Sequence, residues 1–318
     1  MMARQHVPLS GLATLTIVST LGGANPFIPM QGIHPFIEMC TPSILFALTL
    51  IGQAFGMVPD IDHPKSTITK KLGIVGAILQ PPMTFLGGGH RKGVHSWVFV
   101  VAMAFLGLFM NGLSSPVIDL FFFKFNNPVA PFGLWIVALF TVACTMFSIR
   151  LILPYKLNKL GWLALGLSLL GGWVVIANPD MMKTPWLVFA MALGTAFHDF
   201  GDMLTTGKVP FLWPFIKKPL GLAVVGRTGS RIETLIAGPL ITFGLVISYA
   251  MVIIKPAIPE FGKWFSSTVV PATGGVIHAL PTDAMQVTLQ GALIVSLAIA
   301  AFDFLTRIAF PPRFEGGH

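Results

Sequence analysis

Charge is what this sequence most lacks. Only 10% of its 318 residues are Asp, Glu, Lys or Arg, whereas a soluble domain carries roughly 25%. So few charges cannot cover a water-facing surface, which excludes an ordinary soluble globular protein and makes lipid the main solvent. Cysteine is scarce as well: the 2 that occur, Cys40 and Cys144, both lie in apolar runs. That excludes a disulfide framework and a thiolate-built metal site. The opening MMARQHVPLSGLATL is followed by no clear small-residue cleavage site, so it reads as a retained first helix rather than a signal peptide. Neither a soluble insertion nor an internal repeat is evident, and residues 1–318 read as a single membrane domain.

Acidic residues are the scarcer sign, 12 against 20 basic, for a net charge of +8. Such an excess can mark a nucleic-acid binder. Here no aromatic-interleaved basic groove accompanies it beyond Phe211, Trp213 and Phe215, which suit interfacial anchors better. No stable nucleic-acid partner is expected. The excess reads instead as Lys- and Arg-rich loops facing the cytoplasm and its anionic lipid surface.

What is abundant is apolar: 54% of the residues, with a mean hydropathy of +0.80. A hydrocarbon core of about 30 Å takes about 20 such residues per helix. Runs of that kind fall near 8–24, 38–58, 95–113, 129–151, 160–177, 185–205, 234–254 and 285–305. The expected fold is therefore all-α, a polytopic helical bundle of about eight transmembrane helices. The apolar stretch 72–85 is broken by Pro81 and Pro82 and is too short to span, so it is placed as an interfacial or re-entrant segment. Eight spans divide the 20 Lys and Arg into 16 on one side and only Lys124, Lys183, Lys255 and Lys263 on the other. That bias puts both termini and the long insertions 59–94 and 206–233 in the cytoplasm of an inner (plasma) membrane protein.

Those insertions and their flanks hold the unusual residues. Asp60 and Asp62 lie in PDIDHP, His90 and His95 in HRKGVHS, and His198 and Asp202 in HDFGD. By the topology above, all three segments meet at one membrane face. Carboxylates and neutral imidazoles are ligands for zinc, manganese or iron, and ionisable groups at membrane depth are functional candidates. His198 and Asp202, four apart, share one helix face and can grip one ion. Asp60 and Asp62 are two apart, where an extended backbone points both one way or lets one bridge two ions. The spacing of His90 and His95 suits a loop entering a helix. Each motif alone has a plainer reading: Asp-x-Asp as a cap or solvated loop, His-x3-Asp as a hydrogen-bonded pair, Arg91-Lys92 as an anchor at the cytoplasmic face.

Together, PDIDHPKS, HRKGVHS and HDFGDMLTTGKVPFLWPF resemble the YdjM-type membrane-bound metal-dependent hydrolases. The pattern of that family is matched by Asp60, Asp62, His63, Pro64, Ser66, His90, Arg91, His95, Ser96, His198, Asp202, Thr205, Gly207, Val209, Trp213 and Pro214, with His6 and the Gly229-x3-Glu233 pair on the same face. Lys92 and Val94 depart from it. The resemblance covers 1–235 as a hydrolase-like core and leaves 236–318 outside its motifs. More distantly, the ligand order is similar to that of zinc-dependent phospholipase C and related single-strand nucleases. These likenesses imply two or three divalent ions, zinc with manganese as the other candidate, held by His6, Asp60, Asp62, His63, His90, His95, His198, Asp202 and Glu233. Asp60 or Asp62 would bridge the metals or act as general base. Arg91 and Lys92 would neutralise a phosphate, and Ser66, Ser96, Thr205 and Arg231 would contact substrate. The implied reaction is hydrolysis of a phosphoester on a lipid of the bilayer by metal-activated water. A metal-ion transporter and a scaffold with a structural metal are the alternatives.

Overall fold

The computed structural model describes residues 3–25, 41–72, 74–89, 92–120, 123–152, 161–177, 185–254 and 259. Helices dominate: α1 (Ala3–Leu21), α2 (Pro42–Phe55), α3 (Thr67–Leu72), α4 (Ile74–Leu86), α5 (Trp97–Ser114), α6 (Ala130–Ile152), α7 (Gly161–Ala177), α8 (Trp186–Met203) and α9 (Gly238–Ser248). π-helical turns at Glu233–Ala237 and Tyr249–Ile254 continue α9 at both ends. A small antiparallel hairpin, β1 (Val117–Leu120) with β2 (Phe123–Asn126), joins α5 to α6. The first seven apolar runs of the sequence thus each hold a helix. The eighth, 285–305, lies outside the described residues, as do Cys40 and the other residues of 255–318 apart from Pro259.

Among the described residues, four helical segments are long and apolar enough to cross a membrane: Pro42–Asp62, Trp97–Ser114, Ala130–Ile149 and Glu233–Ile253. Length and composition alone do not extend that count to eight. α7 has only 17 residues, and α1 and α8 carry the polar side chains His6, Ser10, Thr14, His198, Asp199 and Asp202. The Pro-interrupted stretch is the 13-residue helix α4, about 20 Å long and short of a hydrocarbon core. Its Ile74, Ile78 and Phe85 are exposed, as a helix lying in an interface requires.

The outside of the bundle is apolar: Phe105, Phe109, Trp135, Leu139, Trp173 and Leu240 are all exposed. Inside, Leu15, Val18, Leu45, Leu48, Ile51, Trp186, Leu187 and Met191 form the main core cluster. Between them runs a polar seam whose hydroxyls are satisfied by backbone. Thr14, Thr49 and Thr195 donate to the carbonyl one turn back, at 2.8, 2.6 and 2.8 Å. Ser10 reaches across to Gly194 O at 3.0 Å, and Ser148 to Leu50 O at 2.7 Å. With lipid outside, helices gain little by burying apolar surface against one another, so close packing of small residues and such hydrogen bonds hold them together.

Glycines set how closely α1, α2 and α8 approach. A Cβ on Gly194 would run into the Gly52 carbonyl, one on Gly52 into Thr14, and one on Gly56 into Ser10. This three-helix contact brings the N-terminal end of α1 against the C-terminal ends of α2 and α8. Gly194→Ala should therefore destabilise the bundle by about 1–3 kcal/mol, the usual cost of overpacking. Gly166→Ala, where an added methyl meets nothing within 4 Å, should leave the melting temperature in detergent unchanged or raise it slightly. Thermal unfolding of the two variants beside wild type checks the pair.

Candidate metal centre

Five chain segments deliver side chains to that end of the bundle. His6 comes from the start of α1, and Asp60 and Asp62 from the 3₁₀ turn Val58–Asp62 that prolongs α2. His95 closes the 3₁₀ turn Gly93–His95 ahead of α5. His198, Asp199 and Asp202 occupy the last turns of α8, and Glu233 opens the final helix. All are buried except Asp60, whose side chain keeps 22% exposure.

His198 is central. Its Nδ1 lies 2.7 Å from the Gly56 carbonyl, and a carbonyl only accepts, so Nδ1 carries the proton and Nε2 presents a lone pair. That fixing of tautomer and ring orientation is what metal-binding histidines require of their surroundings. Nε2 faces Asp60 Oδ1 and Asp202 Oδ2, each at 3.8 Å. His6 stacks on the His198 ring at 4.0 Å between centroids, and its Nε2 lies 3.2 Å from Asp202 Oδ1. His95 Nε2 is 3.8 Å from Asp62 Oδ2, and its Nδ1 is 3.5 Å from Asp199 Oδ1 and 3.7 Å from Asp202 Oδ2.

Among the described residues, two groups have donor atoms all within 4.8 Å of one another: His6, His198 and Asp202, and Asp60, His95 and His198. Tetrahedral ligands at about 2.1 Å from zinc lie roughly 3.4 Å apart, so this spacing suits a shared cation. Buried His198 Nε2 and both Asp199 carboxylate oxygens make no hydrogen bond, and a buried polar atom in that state calls for a partner. The surplus of negative charge is also felt by His95, which precedes the span beginning at Trp97. Burial acts to lower its pKa, yet the Asp199 and Asp62 carboxylates outweigh burial and hold it up at about 10.

The sequence expectations divide here. His198 and Asp202 share a helix face, as their spacing predicts, and His6, Asp60 and His95 join them. Asp60 and Asp62 do not point the same way. The turn that carries them is 3₁₀, with about 120° per residue, so Asp60 faces His198 and Asp62 faces His95. The carboxylate lying between the two groups is Asp202, with one oxygen towards His6 and the other towards His95 and His198. Asp62, His63 and Glu233 belong to neither group. His63 Nδ1 accepts the Lys65 N–H at 3.2 Å. Glu233 accepts the Gly229 N–H at 2.7 Å, an arrangement the positive φ of +79° at Gly229 permits.

The three hydroxyls matched to substrate make local bonds. Ser96 donates to Gly93 O at 2.5 Å and Thr205 to Asp202 O at 2.8 Å, while Ser66 accepts from Thr69 N at 3.2 Å. Lys92 and Arg231 are exposed. His90 and Arg91 lie outside the described residues.

Sequence reasoning missed Asp199. On a helix its neighbour position turns it about 100° from His198, so an i,i+4 reading passes over it. Its own signal was a carboxylate inside an apolar run. Also missed were Gln80 and Thr84 of α4, which donate to Asp62 O at 3.2 and 2.7 Å and so brace the ligand turn.

The sequence model of the YdjM inner membrane protein family matches residues 1–262. The chain belongs to the YdjM family. The match runs past the motif-bearing 1–235 and takes in α9, so the YdjM region includes the whole bundle that carries the cluster. No curated protein and no solved structure matches the chain.

Metal content by mass spectrometry on detergent-purified protein tests the centre. His198→Ala and Asp202→Asn should each abolish stoichiometric divalent metal. Asp199→Asn, beside the donors, should weaken affinity by about 10- to 100-fold. His63→Ala should keep the wild-type content.

Proposed function

We propose that this YdjM-family chain is a membrane-embedded metal-dependent hydrolase that cleaves a phosphoester of a phospholipid or related membrane lipid at the cytoplasmic interface. The observation that carries the reading is the cluster itself. Histidine and aspartate donors spread from His6 to Asp202 in the sequence converge at one end of the bundle, and only Asp60 among them is partly open to the surroundings. A purely structural site has no need of an open edge, whereas a catalytic one keeps a position for water and substrate.

Zinc, or manganese, bound here as two or three ions would polarise the ester and supply hydroxide near neutral pH. His6, His198 and Asp202 would hold one ion, and Asp60 with His95 a neighbouring one. Since His198 Nδ1 is committed to Gly56 O, its single Nε2 would serve one ion only, and Asp202, with an oxygen towards His6 and another towards His95 and His198, would be the ligand shared between them. Asp60, at the open edge, would take the proton of the attacking water. Asp62 and Asp199 orient His95 from opposite sides of its ring. The cytoplasmic orientation rests on the Lys and Arg bias. A lipid substrate is favoured by access, because a site at helix ends beside the interfacial α4 meets headgroups first.

Release of phosphate or headgroup from mixed-lipid micelles tests the reading. Wild type should turn over and lose activity with a chelator. Asp60→Asn should keep at least part of its metal while losing about 100-fold or more in turnover, the scale of general-base catalysis. Stoichiometric metal without turnover on any lipid would replace the hydrolase with a scaffold stapled by metal. Metal flux in proteoliposomes would replace it with a transporter.

A further inference from the structure

A second feature, built on segments that adjoin those carrying the cluster, has a different chemistry. A cavity of about 520 Å³ is lined by Gly87, Gly88, Lys92, Gly207, Lys208, Pro210, Trp213, Lys217 and Pro219. Its lining contains three lysines and no carboxylate. One wall is the turn that ends α4; there Gly88 has a φ of +68°, and an added Cβ would meet nothing within 4 Å, so a ligand can approach the backbone closely. The other wall is the loop 204–230, pinned by paired Val209–Leu220 backbone bonds of 2.9 and 2.7 Å and by Leu222 N to Met203 O at 2.6 Å.

Both walls lead directly to metal donors. Lys92 caps the turn that ends in His95. Gly93 N bonds to Gly87 O at 2.8 Å, and a Cβ at Gly93 would come within 3.3 Å of the Trp213 ring. On the loop side, Gly207 N donates to Thr205 Oγ1 at 3.1 Å, and that hydroxyl donates to Asp202 O at 2.8 Å. Lys208 has a φ of +39°, and its stem lies close to Gly221. The same loop exposes Phe215, Ile216, Leu222 and Val224, apolar groups that suit contact with a bilayer interface.

We infer that the Lys92–Lys208–Lys217 pocket is the subsite for a phosphate-bearing headgroup, holding the phosphate by lysine charge next to Trp213 and presenting it to the adjacent His–Asp cluster. Three ammonium groups match a phosphate dianion, and the volume exceeds what a bare phosphate needs. This deepens the hydrolase reading, on which it rests for the fate of the ligand but not for its binding.

The test is equilibrium binding of a non-hydrolysable phosphonate analogue of phosphatidic acid to the full-length protein in nanodiscs, with diacylglycerol, which carries no phosphate, as the control. The double variant Lys208→Gln/Lys217→Gln should bind about thirtyfold more weakly, at the scale of a few-fold per lysine, with metal content unchanged. Lys208→Arg/Lys217→Arg should restore binding to within a few-fold, and Lys70→Gln, on α3 away from the pocket, should not differ from wild type. Competition by millimolar inorganic phosphate would assign a soluble phosphate ligand to the pocket. Competition by anionic lipid alone would assign a headgroup. Equal binding by wild type and the glutamine double variant, or equal competition by diacylglycerol, would overturn the subsite. Intact phosphonate binding with no turnover of any lipid would leave the subsite standing and sink only the hydrolase.

Discussion

Buried carboxylates are costly away from water unless a cation or donor answers them, and much of this structure follows from that constraint. Asp62, Asp199 and Asp202 are buried, with Asp60 at their edge. The groups nearest them are the imidazoles of His6, His95 and His198, which carry no fixed charge. A bundle end built this way is stable only with protons or metal ions among the donors. His6 and Asp202 approach to 3.2 Å, while the other donor spacings of 3.5–3.8 Å leave room for an ion and are long for direct hydrogen bonds. The high pKa of His95 expresses the same surplus of negative charge through a proton.

The scaffold around this charge is arranged to hold it still. α1, α2 and α8 meet through Gly52, Gly56 and Gly194 rather than through large side chains, so their backbones come close enough for Gly56 O to orient His198. α4 braces the Asp62 carbonyl through Gln80 and Thr84, and the loop after α8 returns to close over Met203. Thr205 ties that loop to Asp202. The segments that look like connections between spans are thus the parts that shape the site, while the lipid-facing surfaces of α5, α6 and α7 are plain apolar helix.

How far this was readable from the amino-acid order depends on the physical rule each feature obeys. Apolar run length located seven helices, because hydrophobic thickness imposes one length on every span. The same rule left α4 out, since two prolines and 13 residues fall short of it. His198 and Asp202 were legible because α-helical periodicity is regular. Asp60 and Asp62 were legible as donors but not in direction, because whether a Pro-flanked turn is extended or 3₁₀ depends on what packs against it, here Gln80, Thr84 and α8. Asp199 became part of the site only through His95, more than a hundred residues earlier, and no local pattern encodes that meeting. The lysine pocket has the same origin: Lys92 and Lys208 are near neighbours only because the loop 204–230 folds back on the α5 entry.

The centre, then, is a set of oxygen and imidazole donors with no thiolate among the described residues, Cys144 being the one described cysteine and free. X-ray absorption spectroscopy at the edge of the metal that copurifies with the wild-type protein addresses this directly. The account predicts nitrogen and oxygen scatterers near 2.0–2.2 Å if the metal is zinc, with the outer-shell pattern of imidazole rings that His198→Ala diminishes. A spectrum showing sulfur ligands, or only water oxygens with no imidazole contribution, would contradict it.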